Sequence, residues 1–225
     1  MNSVIEFITT GPQIMKTKVS MDLVDLLLKK GEESTKNNLV ANDVSSKKQP
    51  HQMTIKKEFG FKDIDSWFSP LIQPHISDYI NWSIERQGVK LNPGYDELPS
   101  SLSTSMINLW INYQEKGEYN PPHRHSGSLS FAIWLQIPEE IKNEPLLPGN
   151  QTPGSFVIRY GEQQQFSTYA YHFLPEVGDI LIFPSYCEHY VHQFKSDVTR
   201  ISVSGNLVVN MAYDEKTKEE VYVGL

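Results

Sequence analysis

The sequence predicts a mainly β protein, two antiparallel sheets packed as a sandwich or jelly roll, with helices confined to the N-terminal third. Three observations carry this. From about residue 105 to 208, short runs rich in Val, Ile, Tyr, Phe and Trp alternate with Gly, Pro, Asn and charged clusters, the punctuation of strands and turns. No helical period interrupts those runs, which argues against parallel βαβ units. Helical spacing appears in two segments, both ahead of that region.

Taken in chain order, SMDLVDLLLKK (20–30) offers Ser20 as N-cap and Asp22 in the first turn. Leu23, Leu26 and Leu27 share one face, and the segment ends in lysines, the charge order a helix dipole favours. Residues 31–53 are polar without a sustained period and read as a long connection that begins at Gly31. SPLIQPHISDYINWSIERQG (69–88) puts Pro70 at a helix start, and Ile76, Tyr79, Ile80 and Ile84 on one face ahead of Gly88. It is the strongest helix in the chain. After the loop LNPGYDELPSS, strands are predicted at 105–113, 129–137, 155–160, 168–173, 179–183, 189–194 and 199–208.

A chain of 225 residues suits one domain with a sizeable core. The expected organisation is an N-terminal helical and loop elaboration over 1–104, a β core over 105–208 and a C-terminal extension over 209–225. Composition, 39% hydrophobic and 11% aromatic, fits a folded globular protein. The net charge of −7 gives no broad phosphate-neutralising surface, so neither nucleic acid nor an anionic membrane is an expected partner. The start, MNSVIEFITTGPQ, lacks the basic and apolar regions of a signal peptide, and no segment approaches the ~18 apolar residues of a membrane span. The lone Cys187 excludes an internal disulfide and suits a reducing compartment. A cytoplasmic location is the expectation.

The chemistry-bearing constellation begins at PPHRHSGSLSFAIWLQIP (121–138). His123 and His125, two residues apart, would project from one face of an extended segment, and two imidazoles on one face can share a metal. A third ligand must come from elsewhere in the sheets. The best candidate is His189, at the start of a strand in VGDILIFPSYCEHYVHQF; His192, three residues on, points the other way. His51, His75 and His172 have no such company and read as surface or satisfied core positions. Cys187 beside His189 lacks a helix N-terminus or basic neighbour to make it a nucleophile.

These motifs resemble the iron(II)- and 2-oxoglutarate-dependent oxygenases, in particular a branch of small proteins from bacteria and tailed phages. Trp110 and Asn112 stand in NLWINYQEKG, followed by Gly117 and then HRHSGSLSFAIWLQIP. Ser126 occupies a slot where that branch has proline, and Phe131 a slot where it has a small residue. GDILIFPSYCEH is similar to its G-D-x-L-x-F-P-S-x-x-x-H, and RISVSGN to its R-x-S-x-S-x-N. The resemblance covers about residues 105–208. It implies a double-stranded β-helix (jelly roll) with the N-terminal helices packed on one sheet. It also implies Fe(II), 2-oxoglutarate as co-substrate and O2, with release of succinate and CO2 and hydroxylation of a primary substrate, a protein side chain or a small metabolite.

Carried over residue by residue, the resemblance makes His123 and His189 iron ligands. The family's carboxylate slot holds His125. Three arrangements stay open: His125 completes a three-histidine face, or it supports the ligands from behind, or the register shifts so that His125 is the first ligand and Gly127 stands in the vacant slot. Arg200, eleven residues after His189, would fork onto the distal carboxylate of 2-oxoglutarate, with Ser202 adding a donor and Asn112 completing the pocket. A cupin is the competing reading. GEYNPPHRH fits the opening of its first motif and GDILIFPSYCEH much of its second, with Tyr186 where glycine is usual. The cupin glutamate is missing, however, since Leu129 and Ser130 stand there, and Arg200-x-Ser202 has no cupin counterpart. A non-catalytic β-sandwich binding module is the third reading.

Overall fold

The computed structural model describes residues 11–39, 55–87, 101–212 and 221–222. In chain order its elements are β1 (Met15–Lys18), α1 (Met21–Lys36), β2 (Lys57–Gly60), α2 (Ile64–Trp67), α3 (Ser69–Gln87), β3 (Ser101–Gln114), β4 (Asn120–His123) and β5 (Leu129–Gln136). There follow α4 (Glu139–Lys142), β6 (Phe156–Arg159), β7 (Ala170–Phe173), β8 (Asp179–Pro184), β9 (Glu188–Val191), β10 (Arg200–Ala212) and β11 (Val221–Tyr222). The larger sheet has the order β1-β8-β5-β10-β3-β2, with β11 also on β10. The smaller sheet has the order β4-β9-β6-β7, and each pairing is antiparallel. Two antiparallel sheets face to face make the jelly roll the sequence predicts.

Strand alternation divides the larger sheet into two chemically distinct faces. Leu109 and Ile111 of β3, Phe131, Ile133 and Leu135 of β5, and Ile201 and Val203 of β10 join one apolar cluster with Leu23, Val24 and Leu27 of α1 and Ile72, Ile76 and Ile80 of α3. This is the helix-covered face. Their neighbours in sequence, including Asn112, Ser130, Trp134, Arg200 and Ser202, turn toward the smaller sheet. Ala132, Trp134, Leu181 and Phe183 meet Phe156, Ile158 and Val191 there in a second apolar cluster. Apolar contact closes one part of the space between the sheets and leaves a polar cavity in the rest.

α1 begins where Ser20 caps it, with the Ser20 hydroxyl accepting the Leu23 N–H at 3.2 Å, worth about 1 kcal/mol. It does not stop at Gly31 but runs on to Lys36. A Cβ at residue 31 would overlap Ile111 Cδ1 and touch the Tyr113 hydroxyl, so the glycine lets the helix lie close on β3. The rest of the expected connection, from residue 40, lies outside the described residues. α3 spans nearly the predicted helix, and β3 and β10 are longer than predicted.

Four described strands were not predicted: β11, a two-residue pairing on β10, and three more, each of which has a physical reason. β1 (MKTK) and β2 (KEFG) are short, lysine-bearing segments at the two ends of the larger sheet, where half-exposed strands carry little apolar signal. β4 contains Pro121 and Pro122, residues that argue against a strand, but it lies at the end of the smaller sheet, where a missing N–H costs no ladder bond. Phe131, unusual in its slot, stacks on Phe68 at 5.7 Å and fills the space over Gly205 of the adjacent strand.

Candidate metal centre

His123 on β4 and His189 on β9 are direct partners across the antiparallel pair, their rings 4.2 Å apart. His125 lies just beyond β4 rather than on it, so strand alternation is not what aligns the two histidines of the H-x-H run. Its backbone N–H donates to the Ser185 carbonyl at 3.0 Å, and its ring meets Trp110 edge-on at 5.6 Å. The potential ligand atoms of the three histidines lie within 4.8 Å of one another. Among the described residues no carboxylate joins them, so the cupin glutamate has no counterpart in space either.

Two of the rings are locked in the same way. His123 Nδ1 donates to the Pro121 carbonyl at 2.7 Å, and His189 Nδ1 to the Cys187 carbonyl at 3.0 Å, each two residues upstream. A carbonyl only accepts, so the proton sits on Nδ1 and Nε2 keeps its lone pair. His189 is buried between Phe156 and Phe183, 5.5 and 5.0 Å from its ring. Burial first, and then the neighbouring imidazoles of His123 and His125, hold it well below the ordinary histidine range. An imidazole that holds its proton on Nδ1 can offer Nε2 to a borderline divalent metal such as Fe(II).

Arg200, the first residue of β10, is 3% exposed. Its Nη1 donates to Gln114 Oε1 at 2.9 Å, and its Cζ lies 5.8 Å from the Trp134 ring centre. Gln114 is oriented for this, since its Nε2 is spent on the carbonyls of Glu118 and His192, at 2.7 and 3.1 Å. Burial presses the guanidinium down to about 9, which leaves it cationic at neutral pH. Among the described residues no carboxylate pairs with it, and its Nε donates to no protein group. A buried cation in that position is costly unless an anionic ligand completes it.

Ser202 lies two residues along β10, 8% exposed, opposite Asn112 of β3 and Trp134 of β5. Asn112 accepts from Trp110 Nε1 at 3.1 Å and reaches Ser204 Oγ at 3.4 Å, so much of its capacity goes to the wall itself. One cavity is lined by His123, His125, His189, Arg200, Ser202 and Asn112. The structure thus gathers every site residue the sequence singled out.

Sequence reasoning missed the braces. Ser130 donates to Asn206 Oδ1 at 2.7 Å and lies 3.0 Å from the Ser185 hydroxyl, while Asn206 Nδ2 donates to Asn108 Oδ1 at 2.9 Å. Ser185, whose carbonyl holds His125, therefore rests on a buried network, which fixes geometry when fully satisfied. The signal for Gln114 was available: it falls two residues after Asn112, on the same strand face. Cys187 is 1% exposed and burial pushes its thiol up to about 12, the profile of an inert core cysteine. His75 and His172 join no metal-ligating cluster, and His51 lies outside the described residues. No described helix is long and apolar enough to cross a membrane.

Residues 108–206 match a family described as "Putative 2OG-Fe(II) oxygenase", a span that includes the three histidines, Arg200 and Ser202. The fold is similar to that of the viral collagen prolyl hydroxylase vCPH from Paramecium Bursaria Chlorella virus-1, solved with 2OG, at a TM-score of 0.53 and 12% identity over 86% of this chain and 94% of that one. It is similar to a prolyl hydroxylase from Trichoplax adhaerens, solved with a peptide fragment of the hypoxia inducible factor oxygen degradation domain, at 0.53 and 11% over 92% and 86%. It is also similar to the alpha ketoglutarate dependent epimerase SnoN from nogalamycin biosynthesis, at 0.55 and 11% over 88% and 78%. Likeness at such identities is a likeness of fold. Among curated proteins, none matches in sequence.

Proposed function

Since residues 108–206 of this chain are a 2OG-Fe(II) oxygenase domain, whose cofactors are Fe(II), 2-oxoglutarate and O2, we propose that the protein is a hydroxylase. In the reaction, 2-oxoglutarate, O2 and a substrate C–H give succinate, CO2 and the C–OH product, with one oxygen atom in succinate and the other in the alcohol. The observation that carries the reading is the shared cavity. Three clustered imidazoles, two of them with Nδ1 turned to a backbone carbonyl, border the same space as a buried guanidinium that has no counter-ion among the described residues.

His123, His125 and His189 would hold the iron, and the donor set fits it. Fe(II) with the keto acid supplies the activation of O2 and the oxidation of the substrate C–H. The chain's own residues do the rest. Arg200 binds the distal carboxylate of 2-oxoglutarate through charge-assisted hydrogen bonds, and Ser202, on the same face, adds a hydroxyl donor. Gln114 keeps Arg200 aimed into the cavity, and Asn112 forms part of its wall. Phe156, Phe183 and Trp134 keep the ligand cage and the carboxylate end dry, which strengthens each polar contact inside.

A protein side chain is the first substrate class to test, because two structures of similar fold carry prolyl hydroxylase in their names and one of them was solved with a peptide. A small metabolite is the second, favoured by the SnoN likeness. The protein would act in the cytoplasm, where a free Cys187 stays reduced. The test is aerobic incubation with Fe(II) and 2-oxoglutarate, with succinate measured alone and in the presence of proline-containing peptides. The reading expects succinate release that depends on His189 and Arg200, and a peptide that gains one oxygen atom. Absence of succinate from the iron-loaded protein under all of these conditions overturns it.

A further inference from the structure

The smaller sheet carries a surface groove of about 480 Å³ that the reaction proposed above does not use. Arg159 of β6 and Glu188 of β9, register partners, both line it. Strand alternation turns them away from Ile158 and His189, their neighbours in sequence, which face the larger sheet. Tyr160, Tyr169 and Tyr186 line the same groove, together with Arg124. Arg124 stands between His123 and His125, and Glu188 directly precedes His189. The groove and the metal centre are therefore carried by the same two segments.

Arg159 is largely engaged: its Nη2 is paired with the Glu188 carboxylate, and its Cζ lies 5.1 Å from the Tyr190 ring centre. Its Nε donates to no protein group among the described residues. Arg124 is exposed and forms no ion pair or hydrogen bond among the described residues. With Arg159 and Glu188 neutralising each other, two charges remain on the groove: Arg124, beside the histidines, and Glu162, in the β6–β7 connection. On a chain of net charge −7, a guanidinium left without an acid beside the metal ligands is a place for a carboxylate from outside, which it can hold by two parallel hydrogen bonds.

The aromatic residues indicate what bears that carboxylate. Tyr160 and Tyr186 are 49% and 55% exposed, so they present their rings along an open surface instead of enclosing a small molecule. Tyr and Arg are the side chains that anchor protein interfaces, since each offers broad apolar contact with a polar end. Phe166, in the same connection as Glu162, is 99% exposed and has a φ of 62°, a left-handed conformation that aromatic residues rarely adopt. So exposed a ring gains nothing inside the chain to offset that strain, and strain of this kind is kept at ligand clamps.

We propose that this groove docks the primary substrate, and that the substrate is an acidic peptide segment whose Asp or Glu side chain is forked by Arg124 while its neighbours lie on Tyr160, Tyr186 and Phe166. This rests on the hydroxylase reading above and names its substrate class. In the test, the full chain is loaded with Zn(II) and 2-oxoglutarate, which prevents turnover, immobilised, and offered a synthetic library of acetylated, amidated peptides randomised over Asp, Lys, Pro, Tyr and Ala. Mass spectrometry reads the bound fraction, and calorimetry measures the 2-oxoglutarate affinity of each variant separately. Asp-containing peptides should exceed Lys-containing ones by about tenfold, the worth of one hydrogen bond to a charged group, and added salt should shrink the excess. Arg124→Gln should abolish the preference, and Arg124→Glu, with Glu162 beside it, should reverse it toward Lys. Phe166→Ala should lower the capture of all peptides about threefold and leave the preference in place. A wild-type bound fraction without an acidic excess, or an excess that persists in Arg124→Glu, overturns the proposal and leaves the oxygenase reading intact. Capture of acidic peptides by a wild-type protein that does not bind 2-oxoglutarate overturns the oxygenase reading, and with it the peptide's role as substrate.

Discussion

His123 and His189 face each other across the β4–β9 pair, 4.2 Å between ring centres, and each gives its Nδ1 proton to the carbonyl two residues before it. Those two contacts fix both rings, and the potential ligand atoms of the three histidines already lie within 4.8 Å of one another, so little ordering remains when a metal binds. His125 joins them from a loop, held by the Ser185 carbonyl and the Trp110 ring.

The ligand set makes the first prediction. His123→Ala and His189→Ala should each weaken Fe(II) binding by more than the ~10–100-fold typical of residues that only support a ligand. His125→Ala should do the same, and His125→Asp, which restores the carboxylate usual in the family's slot, should retain iron. Anaerobic calorimetry measures this. Unchanged affinity in His125→Ala means that His125 is not a ligand.

Arg200 makes the second. Arg200→Met removes a buried charge that has no counter-ion among the described residues and leaves an apolar chain of similar length against Trp134. The ligand-free variant should melt roughly 2–4 °C higher, about 1 kcal/mol. Its Kd for 2-oxoglutarate should rise about 100-fold, the loss of charge-assisted hydrogen bonds worth ~3 kcal/mol. Calorimetry and thermal melts with iron bound and without it separate the two effects. A variant that is less stable and still binds the keto acid contradicts the assigned role.

Gly31 reverses an ordinary rule. In an exposed helix Gly→Ala stabilises by about 1 kcal/mol. In α1 the new methyl would overlap Ile111 and crowd the Tyr113 hydroxyl, so Gly31→Ala should destabilise by roughly 1–3 kcal/mol, as overpacking does. The urea midpoint reads it directly, and a gain in stability would refute the close approach.

Asp179 supplies a pH dependence. Burial pushes its carboxyl up, but Lys18, the Glu176 N–H and Lys16 together outweigh burial, and the net direction is down from the ordinary 3.8. A native value below the unfolded one stabilises the fold above about 3.8, and that contribution is lost as pH falls through the native value. Asp179→Asn should therefore lower stability at pH 7 by about 1 kcal/mol, a modest figure because both lysines are half exposed. The difference from wild type should shrink in acid. Urea titrations of both proteins across that range test it, and a difference that stays constant with pH contradicts the ion-pair account.

Much of this was legible in the sequence because strands buried on both faces declare themselves. LSFAIWLQ and DILIFP are nearly continuous apolar runs, since helices cover one side and the smaller sheet the other. β1, β2 and β4 were silent because edge strands need neither apolar alternation nor every N–H. The sequence singles out the histidines, Arg200 and Ser202 through spaced motifs, which carry chemistry over long separations, and the structure brings them to one cavity. The Ser130–Asn206 network was not legible in this way, because residues that brace others through single hydrogen bonds have no spacing of their own, whereas Gln114 was overlooked although its place two residues after Asn112 put it on the same strand face. Trp134 reads from the sequence as a core aromatic and packs as one, 1% exposed in the second apolar cluster.

The central claim is that one cavity holds iron and a keto acid together. Its most direct measurement is the visible spectrum of the protein under anaerobic conditions with Fe(II) and 2-oxoglutarate. A metal-to-ligand charge-transfer band should appear with one keto acid per iron and vanish in His189→Ala. In Arg200→Met it should persist only at much higher 2-oxoglutarate concentration. Absence of the band from iron-loaded wild-type protein at saturating 2-oxoglutarate, or its persistence in His189→Ala, contradicts the account.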